Sequence, residues 1–222
     1  MNLLIKYPTR SRPELFLKTL KEYIDNESKT NEITYLISYD SDDVSMTESV
    51  INTAKSFSDN IIFVKGNSKT KIQACNADIE NVKDWDIIVL ISDDMHVQIY
   101  GWDYQIVKDM EKMFPDTNGC LWYHDGSSQR DISTLSIVGR KYYDQYGYLY
   151  HPSYKSFFCD NEYTEVAIRN GAIRFINGVI IKHQHPAWGQ GIPMDTLYNH
   201  NDKYWGEDMA NYNERKANGF RD

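Results

Sequence analysis

The chain has 222 residues, of which 41% are hydrophobic and 25% charged, a composition typical of a globular protein and not of a disordered one. Its net charge of −8 lacks the basic excess that sequence-independent nucleic-acid binding requires. No apolar run reaches the length of about 20 residues that a membrane span needs, and Met1–Lys6 is too short an apolar run for a signal peptide.

The three cysteines, Cys75, Cys120 and Cys159, lie far apart and form no CxxC pair. A disulfide framework or a zinc site is therefore not expected, and the pattern indicates a reducing, cytoplasmic setting. No linker-like tract divides the sequence. We therefore expect one domain over residues 1–222, in which the pattern changes near residue 100 and a helical tail follows residue 200.

The first hundred residues alternate short apolar runs with amphipathic segments. The period of the hydrophobic pattern and the turn residues that flank each run predict strands over Asn2–Tyr7, Ile33–Tyr39, Asn60–Lys65 and Asp86–Ile91. The same signals predict helices over Glu14–Ile24, Val44–Ser56 and Thr70–Asn81. Such alternation predicts an α/β fold with a mainly parallel sheet and right-handed crossovers.

The second half is less regular. Its pattern predicts helices over Gly101–Phe114, Asp160–Asn170 and Glu207–Asn218, and strands over Gly119–His124, Thr134–Gly139, Ile173–Ile176 and Val179–His185. Gly171 and Gly219 follow two of these helices, as is common at helix C-termini.

Polar and charged side chains follow each of the four strands of the first half. They are Thr9, Arg10 and Arg12; Asp40, Asp42 and Asp43; Asn67, Lys69 and Lys71; and Ser92, Asp93 and Asp94. Each cluster alone fits a helix cap or a solvated loop equally well. Because ligands of open parallel sheets bind beyond the carboxyl ends of the strands, four such clusters indicate a common binding edge.

Ser92-Asp93-Asp94 is the most informative of these clusters. Two adjacent acids directly after a buried strand are costly unless hydrogen bonds or a cation compensate them. Hard divalent cations take carboxylate oxygens and commonly complete their shell with substrate phosphates. A capping role is less suitable, because Met95–Ile99 intervenes before the next predicted helix.

His183-Gln184-His185 closes a predicted strand. Residues two apart on a strand face the same side, so both imidazoles can reach one metal ion. A structural role for either histidine fits the residues equally well.

Asp160 opens a predicted helix, with Glu162 two residues further on. Asp160 fits an N-cap, and it also fits a general base that takes a proton from an attacking hydroxyl.

Taken together, these residues resemble the GT-A glycosyltransferases, close to glycosyltransferase family 2. The resemblance covers most of the chain. In the first half it rests on Pro8–Pro13 after the first strand, Asp40 after the second, Lys71–Asn76 in the third crossover and Ser92-Asp93-Asp94 at the DxD position. In the second half it rests on Cys159-Asp160, where such enzymes usually carry Glu-Asp, and on Arg169-Asn170-Gly171. It implies a GT-A fold, with a Rossmann-like sheet, flanking helices and a small acceptor-side sheet. Residues 1–100 would bind the nucleotide sugar, and residues 101–200 would carry the acceptor and catalytic groups.

The resemblance also implies roles for single residues. The nucleotide-sugar donor, a UDP-sugar foremost, would be bound by Thr9, Arg10, Arg12, Asp40, Lys71, Asn76, Ser92 and Asp93. Mn²⁺ or Mg²⁺ would be held by Asp94 with His183 or His185, and Asp160, or Glu162 in another helix register, would be the base of an inverting transfer. The resemblance does not define the hydroxyl acceptor, which leaves a lipid-linked or surface glycan, a protein, a small molecule and a modified nucleobase open. From their position in the second half, near Asp160 or His185, we expect aromatic residues of Tyr142–Tyr154 and Trp188 to form the acceptor wall.

The sequence differs from the family pattern at two positions: Ser92 replaces the first acid of DxD, and Cys159 replaces the usual Glu. These differences leave two alternative functions open. A non-catalytic binding module on the same fold is one alternative, since fold does not fix function. A nucleotidyltransferase is the other, although it typically has a glycine-rich first loop and Pro8–Pro13 contains no glycine.

Overall fold

The structure is a computed structural model that describes residues 1–127, 131–184 and 196–221. Its strands are β1 (Leu3–Pro8), β2 (Ile33–Asp40), β3 (Ile61–Gly66), β4 (Ile87–Leu90), β5 (Met95–Val97), β6 (Cys120–Tyr123), β7 (Ile137–Gly139), β8 (Ile173–Ile176) and β9 (Ile181–His183). Its helices are α1 (Pro13–Asp25), α2 (Glu48–Lys55), α3 (Lys71–Asn76), α4 (Trp102–Met113), α5 (Arg140–Tyr146), α6 (Cys159–Arg169), α7 (Thr196–Asp202) and α8 (Trp205–Ala217). No helix within the described ranges has the length and apolar content of a bilayer span.

Within those ranges, seven strands form a central sheet in the order β3-β2-β1-β4-β7-β6-β8, and β5 pairs with β9 in a separate two-stranded sheet. Strands β1 to β4 run parallel to one another, whereas β7 runs antiparallel to both β4 and β6. The α/β class, the mainly parallel sheet with flanking helices and the small second sheet are therefore confirmed.

The central strands are covered on both faces, which explains their nearly continuous apolar sequence. In β1, Leu3 and Ile5 pack against the side formed by α1 and α4, while Leu4 packs against the side that includes α3 and α6. All four residues of β4 are buried. This two-sided core fixes the carboxyl ends of β1 and β4 at one edge of the sheet.

A buried lysine connects the core to that edge. Lys6 of β1 is fully buried and donates a hydrogen bond to Ser38 Oγ of β2, and Ser38 in turn donates to Asp78 at 2.6 Å. Burial lowers the pKa of Lys6 to about 8, although the Asp78 carboxylate opposes this shift. The network holds Asp78, whose backbone has a left-handed φ of 68°, against the sheet.

Two helices are shorter than the sequence pattern predicts, because polar side chains bind backbone groups locally. The helix expected from Val44 begins at Glu48, since Asp43 accepts from the N–H groups of Ser11 and Ser45, and Thr47 caps the helix. Helix α3 ends at Asn76 and is followed by a 3-10 turn over Ile79–Asn81 instead of continuing.

The C-terminal helix α8 is part of the fold and not a separate tail. The Asp208 carboxylate is buried and accepts from the backbone N–H groups of Lys155, Ser156 and Phe157 at 2.7–2.9 Å. About two turns later, Arg215 forms a two-pronged ion pair with Glu162 of α6. Helix α8 therefore fixes the loop that leads into α6.

Candidate functional site

A cavity of about 820 Å³ opens at the carboxyl ends of β1, β2 and β4, the position expected for a ligand site in an open α/β sheet. All four clusters predicted from the strand ends contribute side chains to it. The predicted site residues that line it are Thr9, Arg10, Arg12, Asp40, Lys71, Ser92, Asp93, Asp94, Asp160 and His183. Asn76 and Glu162 do not line it, and His185 lies outside the described residues.

Strand pairing brings Asp94 and His183 together although they are 89 positions apart in the chain. In the β5–β9 ladder, Met95 pairs with His183, and the Gln184 N–H donates to the Asp94 carbonyl oxygen at 2.8 Å. This leaves His183 Nε2 at 3.5 Å from Asp94 Oδ1. The Ser92 hydroxyl donates to the same Asp94 oxygen, so Ser92 orients this carboxylate.

Asp93 differs sharply from its neighbour in its contacts. Its carboxylate accepts from Arg12 at 2.9 Å, and both side chains are about nine-tenths buried. Its carbonyl oxygen accepts from the Thr19 hydroxyl of α1 at 3.0 Å. The Asp93–Arg12 pair thus joins the loop after β4 to the loop after β1 at the cavity wall.

Arg10 is held at the cavity edge by two carboxylates. It binds both oxygens of Asp42 at 2.7 and 3.0 Å, and Asp40 at 3.1 Å. The hydrogen bond to Asp42 is the main cause that raises the pKa of Arg10, and the same contact lowers the pKa of the exposed Asp42. Asp40 also accepts from the Ser68 N–H at 2.7 Å, which ties β2 to the loop after β3.

Asp160 lies in the first turn of α6, after Phe158, whose left-handed φ of 61° begins the helix. Burial raises the pKa of Asp160, although the Lys71 ammonium group and the Asn161 N–H oppose the shift. A carboxylate with a raised pKa is a better proton acceptor than an ordinary one.

Lys71 begins α3 on the other side of the cavity. Burial by the surrounding residues lowers its pKa, but Cys75, Cys159, Asp94 and Asp160 outweigh that effect, so the net shift is upward. Lys71 therefore stays cationic in a cavity where both Asp94 and Asp160 are acidic.

Glu162 has a structural role that differs from the one expected of an alternative base. It lies two residues beyond Asp160 on α6, which turns it away from the cavity. There it is 5% exposed, accepts from the Tyr154 hydroxyl at 2.7 Å, and pairs with Arg215 at 2.8 Å through both of its oxygens.

Asn76 likewise binds backbone groups instead of lining the cavity. Its Oδ1 accepts from the N–H groups of Leu149 and Tyr150 at 2.9 and 3.1 Å, and its Nδ2 donates to the Tyr150 carbonyl oxygen at 2.7 Å. An amide at this position holds the chain that follows α5 against α3.

Replacing Asn76 with alanine is therefore expected to lower stability by about 1–3 kcal/mol, since buried backbone groups lose their partners. Nucleotide affinity should change less than twofold. Urea unfolding and calorimetric titration with UDP and Mn²⁺ measure the two effects, and Asn81→Ala, an exposed position, is the control. A large loss of nucleotide affinity at unchanged stability would instead show a direct ligand contact.

The aromatic wall of the cavity differs from the one expected within Tyr142–Tyr154. Tyr142 and Tyr154 are core residues, at 5% and 1% exposure, although Tyr150 does reach the cavity. Phe157, Tyr204 and Trp205 line it instead, while Trp188 lies outside the described residues. Phe157 could have been found from its position three residues before Asp160.

No protein-family model and no curated protein matches this sequence. Solved structures do match. They include the mannosyltransferase PcManGT from Pyrobaculum calidifontis in complex with GDP-Man and Mn²⁺ (TM-score 0.63, 14% identity, 86% of this chain and 58% of that chain). They also include S. aureus TarS 1-349 in complex with UDP-GlcNAc (0.61, 11%, 90% and 64%) and GalNAc-T7 with UDP, GalNAc and Mn²⁺ (0.65, 12%, 87% and 45%). The chain thus spans less than two thirds of each of these three. It has the GT-A fold that these glycosyltransferases share.

Proposed function

We propose that this chain is a metal-dependent, inverting glycosyltransferase, which moves a sugar from a nucleotide-diphosphate sugar to a hydroxyl acceptor. The proposal rests on one observation: Asp94, His183 and Asp160 line a single cavity, at whose edge cationic side chains stand. The GDP- and UDP-bound structures of the same fold support a nucleotide sugar as the donor, with a UDP-sugar as the first candidate.

The donor set of Asp94 and His183 fits a divalent cation. A carboxylate oxygen and an imidazole nitrogen, 3.5 Å apart, are close enough to share one ion, and the mixed O and N set favours Mn²⁺ over Mg²⁺. Among the described residues there is no cluster of three potential metal-binding side chains. Diphosphate oxygens would complete the shell, with His185, outside the described residues, as a further candidate ligand. When bound, the ion would neutralise charge that develops on the departing diphosphate.

The residues around the ends of β1 and β2 suit the nucleotide. Asp40, at the end of β2, offers a carboxylate for base or ribose hydrogen bonds, while Thr9 and Arg10 border the same part of the cavity. Lys71, kept cationic by the acidic groups around it, suits the phosphates. The Arg12–Asp93 pair supports this wall and leaves Asp94 for the metal.

Asp160 would act as the general base. Its carboxylate would take the proton of the acceptor hydroxyl as that oxygen attacks the anomeric carbon from the face opposite the diphosphate. The new C–O bond forms while the bond to the diphosphate oxygen breaks, and the electron pair of that bond leaves with the nucleoside diphosphate. Attack from the opposite face inverts the anomeric configuration.

A nucleotidyltransferase and a non-catalytic binding protein are the rival functions. The loop over Thr9–Arg12 contains no glycine, which disfavours the first rival. Slow, metal-dependent hydrolysis of a nucleotide sugar would exclude the second, since a binding protein would leave the donor unchanged.

Binding tests the donor and metal assignment. Nucleoside diphosphates and nucleotide sugars should raise the melting temperature by about 5–11 °C at a hundredfold excess over Kd, and more with Mn²⁺ than without it. A panel in which no nucleotide stabilises the protein would refute the proposal.

Asp94→Ala should lower the metal affinity by about 100-fold or more and remove the effect of Mn²⁺ on nucleotide binding. Asp144→Ala is the control, because Asp144 pairs with Arg140 on the surface outside the cavity. Titration calorimetry with UDP and Mn²⁺ measures both variants. Full metal dependence in Asp94→Ala would contradict the assignment of the ligand.

A further inference from the structure

One end of the cavity is aromatic. Phe157, Tyr204 and Trp205 line it there, on the loop before α6 and at the junction of α7 and α8. These elements differ from the ends of β1 and β2, where Arg10 and Asp40 stand. A donor nucleotide bound at the strand ends would therefore leave the aromatic end for the second substrate.

Trp205 combines firm packing with large exposure. Its ring lies 5.0 Å from the ring of Phe157 and 4.9 Å from that of Phe158, yet the residue remains 52% exposed. A large apolar surface that is held rigid and left open within a cavity is typical of a ligand contact.

Helix α8, which begins at Trp205, is held against the loop before α6 by hydrogen bonds. Three residues later, Asp208 accepts hydrogen bonds from the backbone N–H groups of residues 155–157. The same loop continues into α6 and Asp160. The helix that carries Trp205 is thus hydrogen-bonded to the loop that leads to the proposed base.

Tyr204 is less suited to stack on a ligand. The ammonium groups of Lys155 and Lys203 lie 5.3 and 4.7 Å from the centre of its ring. These cation–π contacts occupy the ring of Tyr204, so Trp205 offers the larger open face.

Helix α7, which precedes Trp205, contributes polar side chains to the cavity. His200, Asn201 and Asp202 of α7 line the same cavity and offer amide, carboxylate and imidazole groups for hydroxyls. An aromatic face beside several hydrogen-bonding groups matches a sugar ring, which has apolar C–H faces and a rim of hydroxyls.

We propose that Trp205 stacks against a sugar ring of the acceptor, so that the acceptor is a carbohydrate and its reactive hydroxyl points towards Asp160. This inference rests on the proposed glycosyl transfer, because it assigns the second substrate of that reaction.

Saturation-transfer NMR with a panel of methyl glycosides tests the stacking directly. With UDP and diamagnetic Mg²⁺ present, the wild-type protein should transfer saturation to the ring protons of at least one glycoside. Trp205→Ala should weaken that binding about tenfold, and Trp205→Phe should restore much of it. Tyr104→Ala is the matched control, since Tyr104 is 51% exposed but does not line the cavity.

Two results would overturn the inference. One is binding of no glycoside to the wild-type protein, or equal binding to Trp205→Ala. The other is a loss of UDP affinity in Trp205→Ala, which would mean that the ring stacks on the nucleobase. Circular dichroism of Trp205→Ala and Trp205→Phe identifies a folding defect, and the Phe variant then decides the question.

The same samples separate this inference from the proposed function. If UDP-sugars and GDP-sugars fail to bind while glycosides still contact Trp205, the donor assignment is wrong and the carbohydrate site stands. If nucleotides bind with Mg²⁺ and glycosides do not, the carbohydrate site is wrong and the donor assignment stands.

Discussion

Asp160→Asn is expected to reduce sugar transfer about 10²–10⁴-fold, the usual contribution of a general base, and at the same time to stabilise the protein at neutral pH. The first effect follows because the amide cannot take a proton from the acceptor. The second follows because burial raises the pKa of Asp160, so that its ionised form is disfavoured in the folded state.

The pH dependence of this stabilisation has a defined sign. Below the ordinary carboxyl pKa, Asp160 is protonated in both the folded and the unfolded chain, and the variant should match the wild type. As pH rises through the interval up to the raised pKa, the wild-type protein loses stability relative to Asp160→Asn. Above that interval the difference should stay constant.

Thermal unfolding between pH 3 and pH 8 measures the effect. Asp116→Asn is the control, and it should change the stability in the opposite direction, because the hydrogen bond from Lys141 lowers the pKa of Asp116. Wild-type kcat/KM should also fall at low pH, as protonation of Asp160 removes the base. Loss of folding in Asp160→Asn, or full activity, would show a helix-capping role instead.

Arg215→Met is expected to cost about 3–5 kcal/mol of stability, because it leaves the buried Glu162 carboxylate without its cationic partner. At about 2–4 °C per kcal/mol for a chain of this size, the melting temperature should fall by at least about 6 °C. Differential scanning calorimetry measures the change.

Lys216→Met provides a matched control on the same helix. Lys216 pairs with Glu165 of α6 at 2.8 Å, but the two side chains are 51% and 38% exposed, so its loss should cost less than about 1 kcal/mol. Adding Glu162→Gln to Arg215→Met should recover part of the stability, since the buried charge is removed. Equal effects of Arg215→Met and Lys216→Met would contradict the buried-pair explanation.

The strand ends could be predicted well because a local signal defines them. An apolar run that stops at Asp40 or at Ser92-Asp93-Asp94 marks both a strand and its polar end, and the α/β rule then brings these ends together. The strand expected over Ile173–Ile176 has those bounds in the structure. His183 could be predicted as a site residue for the same reason, because it ends an apolar run.

Other features depend on contacts between distant residues, which periodicity does not encode. Glu162 and Asp160 differ by two positions in sequence, and only the packing of α8 on α6 places Glu162 against Arg215. The amide of Asn76 accepts from the N–H groups of residues 149 and 150, which lie more than 70 positions away in the sequence. Trp205 likewise reaches the cavity only because Asp208 fixes α8 to the loop before α6.

The central claim is glycosyl transfer from a nucleotide sugar. It is tested most directly by incubating a UDP-sugar with the protein and Mn²⁺, removing the paramagnetic Mn²⁺ on a chelating resin, and recording the ³¹P NMR spectrum. The phosphorus signals should change to those of UDP, slowly in water and faster when an acceptor glycoside is added, and Asp94→Ala should abolish the change. Appearance of sugar 1-phosphate, the leaving group when UMP is transferred, would contradict glycosyl transfer and point to a nucleotidyltransferase. An unchanged donor that nevertheless binds would contradict it as well and point to a binding protein.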